Sequence, residues 1–323
     1  MRYVTSPFGT SVQGFGDQMS RVFFNIIVAE DLDAVPIAVQ NFYKITSTRP
    51  GAGVYVELMS TLGFSEQPID VTQLRSLRLS YGDQLLLNNT FKRSCNVLFE
   101  VDAFSCTTVP AAFCLFNPKI AEKLEDIRSE LQMRTLFHSS CSEKHTVFSK
   151  DHVNVLIHLR STDASVDFTH TSVGCLNCSI SYWYRVGQWL IKLLNGLNFK
   201  LYFASQRTLP SSLRDYLLDN FPNVHFLVES SNFTLPDLAC HLLNADVVIA
   251  TGSSLPTSIL MFADGPIILE ERNYISTVLN APVQYSIPGA QSFRLDNGSI
   301  APMHSIRGVR LKLLARLSQP TRF

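Results

Sequence analysis

The most regular pattern in the chain is a series of short, nearly unbroken apolar runs separated by stretches of helical spacing. In the C-terminal half the runs fall at 153–159, 199–204, 224–228, 247–250 and 266–269. They are rich in β-branched and aromatic residues and have no polar face. That predicts strands covered on both sides. Between them, 181–194, 211–220, 236–243 and 256–262 predict helices. Strand–helix alternation of this kind predicts a parallel sheet with helices on both faces, an α/β doubly wound unit.

The N-terminal half begins the same way. A strand at 3–5 leads through a loop at 14–16 into an apolar helix near 18–29, and 35–39 and 97–101 predict further strands. In 120–137, Ile120, Leu124, Ile127 and Leu131 recur at helical spacing. The polar, aperiodic stretch 138–150 then reads as a boundary, dividing the chain into domains 1–148 and 149–323. A final helix at 305–317 interleaves Val309, Leu311, Leu313 and Leu314 with Arg307, Arg310, Lys312 and Arg316. It reads either as a surface helix with an apolar stripe or as a basic membrane-surface helix.

Composition narrows the class. Hydrophobic residues make up 46% and charged residues 17% of 323, which fits a compact protein with a sizeable core. Lys+Arg and Asp+Glu both number 27, so no global basic field points to nucleic acid. No apolar run reaches membrane-spanning length, and the N-terminus lacks the apolar core of a signal peptide. The reading is a cytosolic protein or a soluble piece of an anchored, secretory-pathway one. Sequons at Asn88, Asn177, Asn232 and Asn297 occur at about the frequency chance gives, and do not decide between these. The seven cysteines are an odd count, so at least one thiol is unpaired within the chain. Cys175 and Cys178 form a lone C-x-x-C that reads as free thiols, a local disulfide or a metal pair. Neither Cys106/Cys114 nor Cys141/His145 makes a convincing second ligand pair.

Three segments could carry chemistry. His158-x-Arg160-x-x-Asp163 ends a buried strand, where a doubly wound sheet binds its ligands. The donor fork of an arginine there matches phosphate oxygens and stays charged, so it can stabilise a departing diphosphate without a metal. Asp163 could hold Arg160 or contact the donor. A strand-end salt bridge beside a packed histidine is the plain alternative. Gly14-Phe15-Gly16-Asp17-Gln18 sits between the first strand and its helix, and reads as a close backbone approach to an anion or as a tight turn. Asp237 followed by Asp246–Ser254 runs an apolar strand into Thr251-Gly252-Ser253-Ser254, which reads as a phosphate cradle or as ordinary helix capping.

In this order, the three segments resemble the superfamily of α1,2-, α1,6- and protein-O-fucosyltransferases. GFGDQM is similar to its Gly-x-Gly-Asn-Gln loop, HLRSTD to its H-x-R-R-x-D motif, and 237–254 to its late Asp and Ser/Thr-rich block. The resemblance implies a GT-B-like fold of two Rossmann-like domains, with the acceptor on the N-terminal side and the donor on the C-terminal side. It implies inverting, metal-independent transfer of fucose from GDP-fucose to a glycan or glycoprotein, with no cofactor. Carried over, Arg160 would bind the β-phosphate. His158 and Asp163 would shape the nucleotide pocket, and Asp237 would sit near the guanine. Ser253 or Ser254 would touch the phosphates, and Gly14 and Gly16 would line the loop. Asp167 and Asp17 are the candidates for the base an inverting transfer needs. The sequence departs from the pattern at Ser161, at Ser205-Gln206 and at Asp17. Those departures motivate a second reading, an inactive relative that binds glycan or protein. A metal-dependent transferase using Glu100-Val101-Asp102 is a third, and it leaves Arg160 without a role.

Overall fold

The structure is a computed structural model. It describes residues 1–5, 25–26, 28–30, 32–37, 72–80, 96–102, 148–149, 151–159, 180–205, 208–209, 211–221, 223–228, 233–250, 254–263, 267–271, 291–296, 299–300 and 305–319. The chain divides into two compact units, Met1–Ser140 and Cys141–Phe323.

The first unit contains β1 (Arg2–Thr5), β2 (Val35–Pro36), β3 (Arg75–Ser80) and β4 (Val97–Asp102). They form one sheet in the order β2-β1-β4-β3, with every pairing parallel. Val4 and Phe99 are fully buried in it. The strand expected at 35–39 stops at Pro36, which cannot donate to a ladder and is tolerated on the edge that β2 forms. Strand β3 was not expected. Its sequence, RSLRLS, alternates and has only two apolar residues, as suits the opposite edge. The expected helix at 120–137 and most of the boundary stretch lie outside the described residues.

The second unit follows the predicted alternation closely. Strands β5 (Val153–Leu159), β6 (Phe199–Ser205), β7 (Val224–Val228), β8 (Val247–Ala250) and β9 (Ile267–Glu271) alternate with helices. Those helices are α1 (Ile180–Leu194), α2 (Ser211–Asn220), α3 (Leu235–Asn244) and α4 (Ser254–Leu260). Two further strands, β10 (Gln291–Asp296) and β11 (Ser299–Ile300), precede the last helix, α5 (Ile306–Leu317). The sheet order is β11-β10-β9-β8-β5-β6-β7, parallel except for the β10–β11 hairpin. From β7 to β10 this is the 3-2-1-4-5-6 order of a Rossmann-like sheet. The fold is therefore α/β, with a parallel sheet in each unit.

Alternation along β5 explains the layers. Val153, Val155, Ile157 and Leu159 pack on one face with Trp189 and Leu193 of α1, Leu213 and Leu217 of α2, and Val309 and Leu313 of α5. Burying each such side chain stabilises the fold by about 1.5–3 kcal/mol. On β6, Phe203 joins that core while Tyr202 points the other way. Tyr202 meets Phe148 at 4.7 Å, and Phe148 meets His241 of α3 at 4.9 Å, so α3 covers the second face with α4 beside it. Gly187 lies in the middle of α1, where glycine is normally unfavourable. A Cβ there would lie 2.1 Å from the Phe221 ring at the end of α2, so the bare backbone is what lets α2 dock.

At the amino edge of the sheet a polar clasp is buried with the core. Asp246 is fully buried. Its carboxylate accepts from Asn154 N at 2.9 Å and Asn154 Nδ2 at 3.3 Å, and it lies 4.0 Å from Arg316 of α5. Asn154 Nδ2 also donates to the Ser149 carbonyl at 3.0 Å. Arg310, a second cation of α5, donates to the Leu193 and Asn195 carbonyls at 2.6 Å each, capping the carboxyl end of α1. Both arginines therefore serve the fold, and α5 is a packed structural helix.

Two outcomes follow for stability. Gly187→Ala drives a methyl into Phe221 and lowers the melting temperature, by about 1–3 kcal/mol of lost stability; a melt equal to wild type would contradict this packing. Asp246→Ala leaves Asn154 N without its buried acceptor and removes the charge that faces Arg316. It should cost about 3–5 kcal/mol in denaturant unfolding.

Candidate functional site

Two of the predicted motifs follow strands that end at the carboxyl edge of the second sheet. Strands β5, β6, β7 and β8 all end there, since they run parallel. The order reverses between β5 and β8: the chain moves outward from β5 through β6 to β7, then returns to add β8 on the other flank. Open α/β sheets bind ligands at this reversal, because adjacent crossovers on opposite faces leave a crevice between them. Leu159 is the last residue of β5 and Ala250 the last of β8. Arg160 is thus the first residue beyond one strand, and Thr251-Gly252-Ser253 the first beyond its neighbour. The two segments are far apart in sequence and leave adjacent strands at one edge.

His158, two residues before Arg160 in the sequence, is 3% exposed. In register it sits between Ala204 of β6 and Ala250 of β8. Both of its register partners are alanines. Ser205, the last residue of β6, is also buried.

Helix α3 runs antiparallel to the strands it connects, so its amino end lies at the same edge. Thr234 caps it. The Thr234 hydroxyl accepts from Asp237 N at 3.4 Å and donates to Asp237 Oδ2 at 2.7 Å. Asp237 Oδ2 also accepts from Thr234 N at 2.7 Å, completing a capping box. The carboxylate is held at the positive end of the helix, where the macrodipole favours it. Helix-start capping is therefore a role that Asp237 fills.

One turn further along α3, His241 is buried, with its ring edge-on to Phe148 and to Phe233 at 5.3 Å. Its Nδ1 is 2.7 Å from the Asp237 carbonyl. A carbonyl only accepts, so Nδ1 carries the proton. Burial pushes the His241 pKa down, and the hydrogen bond and charge of Asp237 offset that only in part. Cys240 beside it is 2% exposed and disulfide-bonded. The other six cysteines, Cys175 and Cys178 among them, lie outside the described residues.

Of the predicted site residues, His158 and Asp237 are described, and both belong to this edge. Ser254 is also described and is the first residue of α4. Gly14, Gly16, Asp17, Arg160, Asp163, Asp167 and Ser253 lie outside the described residues. The Gly14–Gly16 loop does follow β1, and the first sheet also reverses its order beside β1, between β1 and β4. Sequence reasoning missed Thr234, Ala204 and His241. Thr234 was readable as the start of T-x-x-D, a capping-box pattern. The alanine flanks needed the strand register.

No protein-family model and no curated protein matches the chain. Among solved structures it is similar to E. coli heptosyltransferase WaaC with ADP-2-deoxy-2-fluoro heptose. The identity is 11%, with 98% of this chain and 100% of that chain covered and a TM-score of 0.40.

The buried imidazole has a pH signature. Its folded pKa lies below the ordinary value of about 6.5. The folded state therefore binds the proton less readily than the unfolded chain does. The stabilisation is complete above the ordinary value and is lost as pH falls through the lowered one. Melting temperature should fall as pH drops below the ordinary histidine value of about 6.5, and His241→Gln should flatten that fall. Parallel pH slopes in the two proteins would refute the linkage.

Proposed function

We propose that the chain is a nucleotide-sugar-dependent glycosyltransferase whose second unit holds the donor diphosphate through Arg160. The observation that carries this reading is the position of the segment. Arg160 is the first residue past a fully buried strand, at the point where the order of a Rossmann-like sheet reverses, and the Thr251–Ser254 turn follows the neighbouring strand. Transfer breaks the bond between the sugar carbon and the β-phosphate oxygen, so negative charge grows on the diphosphate. A guanidinium and a turn rich in hydroxyl and N–H donors meet that charge at the carboxyl edge. The buried strand beneath fixes the backbone from which Arg160 departs, so little reorganisation accompanies the reaction.

The likeness of HLRSTD, GFGDQM and 237–254 to the fucosyltransferase motifs supports GDP-fucose as donor. On this reading transfer to a glycan or glycoprotein hydroxyl inverts the sugar carbon and needs no metal. Asp163 steadies Arg160, Ser253 and Ser254 hold phosphate oxygens, and Asp237 lies toward the base. Gly14 and Gly16 form the acceptor-side loop, and Asp17 or Asp167 takes the acceptor proton.

A second reading, a relative that binds nucleotide or glycan without turnover, draws on Ser161 and Ser205. Ser205 is buried at the end of β6, where the family pattern often places an acidic pair. Calorimetry with GDP, GDP-fucose and UDP-sugars, with and without EDTA, tests the proposal. GDP should bind with EDTA present, and Arg160→Ala should abolish binding and cut transfer by about a hundredfold or more. Absence of nucleotide binding at millimolar ligand would sink both the donor assignment and the enzyme. Binding without donor turnover would leave the second reading standing.

A further inference from the structure

Helices α1 and α5 cover the same face of the larger sheet and touch one another. Their inward stripes are spent on the core, through Val186, Trp189, Leu190 and Leu193 on α1 and Val309 and Leu313 on α5. Their outward sides mix large apolar residues with polar ones, where ordinary amphipathic helices would be polar. Tyr184 is 50% and Ile191 54% exposed on α1, and Leu311 is 59% and Leu314 38% exposed on α5. Together with Leu218, these are most of the exposed large apolar residues among the described ones. Lys192 and Arg307 stand exposed among them.

Charge is segregated here although the chain is neutral overall. Neither helix contains an acidic residue. The sequence holds none from Phe168 to Arg214, and none from Asn297 to Phe323, while 27 acids balance 27 basic residues elsewhere and here together. The neighbouring helix α2, by contrast, exposes Asp215 and Asp219, which marks where the surface changes sign.

We propose that the outward α1–α5 face adsorbs to an anionic lipid bilayer. Aliphatic and aromatic tips among cations complement that surface. The tips enter the boundary between headgroups and acyl chains, and the cations meet lipid phosphates. A nucleic acid would use the cations and leave four large apolar side chains in water. No described helix is long and apolar enough to cross a membrane, so the contact is one of surface adsorption. The sheet supplies rigidity: both helices are locked to one core, so binding orders no further chain.

The test uses the full chain and sedimentation with phosphatidylcholine vesicles, with and without phosphatidylglycerol. Binding should require the anionic lipid and weaken with salt. Each cation contributes about a fivefold gain in partitioning, so Lys192→Gln/Arg307→Gln should weaken binding about twenty-five-fold. Ile191→Ser/Leu311→Ser should weaken it by at least about tenfold, as buried apolar area is lost. Circular dichroism and melting temperature confirm that both variants remain folded, which exposed positions allow. Three outcomes overturn the proposal. These are no binding to anionic vesicles, equal binding to neutral ones, and self-association in light scattering that the apolar pair removes without any change in vesicle binding.

Discussion

A single buried carboxylate, Asp246, ties the larger unit together. It receives hydrogen bonds from Asn154 at the start of the central strand and faces Arg316 on the last helix. Burying such a group without these partners would cost several kcal/mol, so its presence obliges three separate segments to arrive together. Hydrophobic burial would tolerate small shifts of α5 along the sheet. The charge pair of Arg316 with Asp246 and the two directional hydrogen bonds of Arg310 to carbonyls at the end of α1 do not. The register of β5 against β8, and with it the pairing of His158 with Ala250, is thereby held from the opposite end.

The two edges of the sheet divide their tasks. At the amino edge polar groups satisfy one another and close the structure. At the carboxyl edge His158 pairs in register with Ala204 and Ala250, and helix α3 begins at the same edge. The capping box at Thr234 and Asp237 holds a carboxylate at this edge. The carboxylate that secures the helix start is also fixed in place at the edge where a ligand would lie.

Much of this was legible in the sequence, for physical reasons that also explain what was not. Strands buried on both faces, such as Val153–Leu159, read as continuous apolar runs and were located to the residue. Rim strands have polar faces: β3, with RSLRLS, and β10, with QSFRLD, carry too few apolar residues to stand out. Helix α5 left its role open because its arginines look alike in one dimension. Only packing shows that Arg310 and Arg316 turn inward to carbonyls and a carboxylate while Arg307 remains outside. The candidate site was legible as three motifs. That the strands before the second and third motifs, β5 and β8, lie side by side depends on strand order, which no local pattern encodes.

The position of α5 in the chain has a consequence for biosynthesis. It follows every strand of the sheet it locks, and it supplies both Arg316 to Asp246 and Arg310 to the end of α1. While a ribosome is still extending the chain, the strands can pair but the carboxylate and the α1 carbonyls have no cationic partners. The unit is therefore completed only when its final turns emerge. A nascent chain halted before Ile306 would present a sheet with one covering helix missing, Val155 and Ile267 under-packed, and an apolar surface open to chaperones.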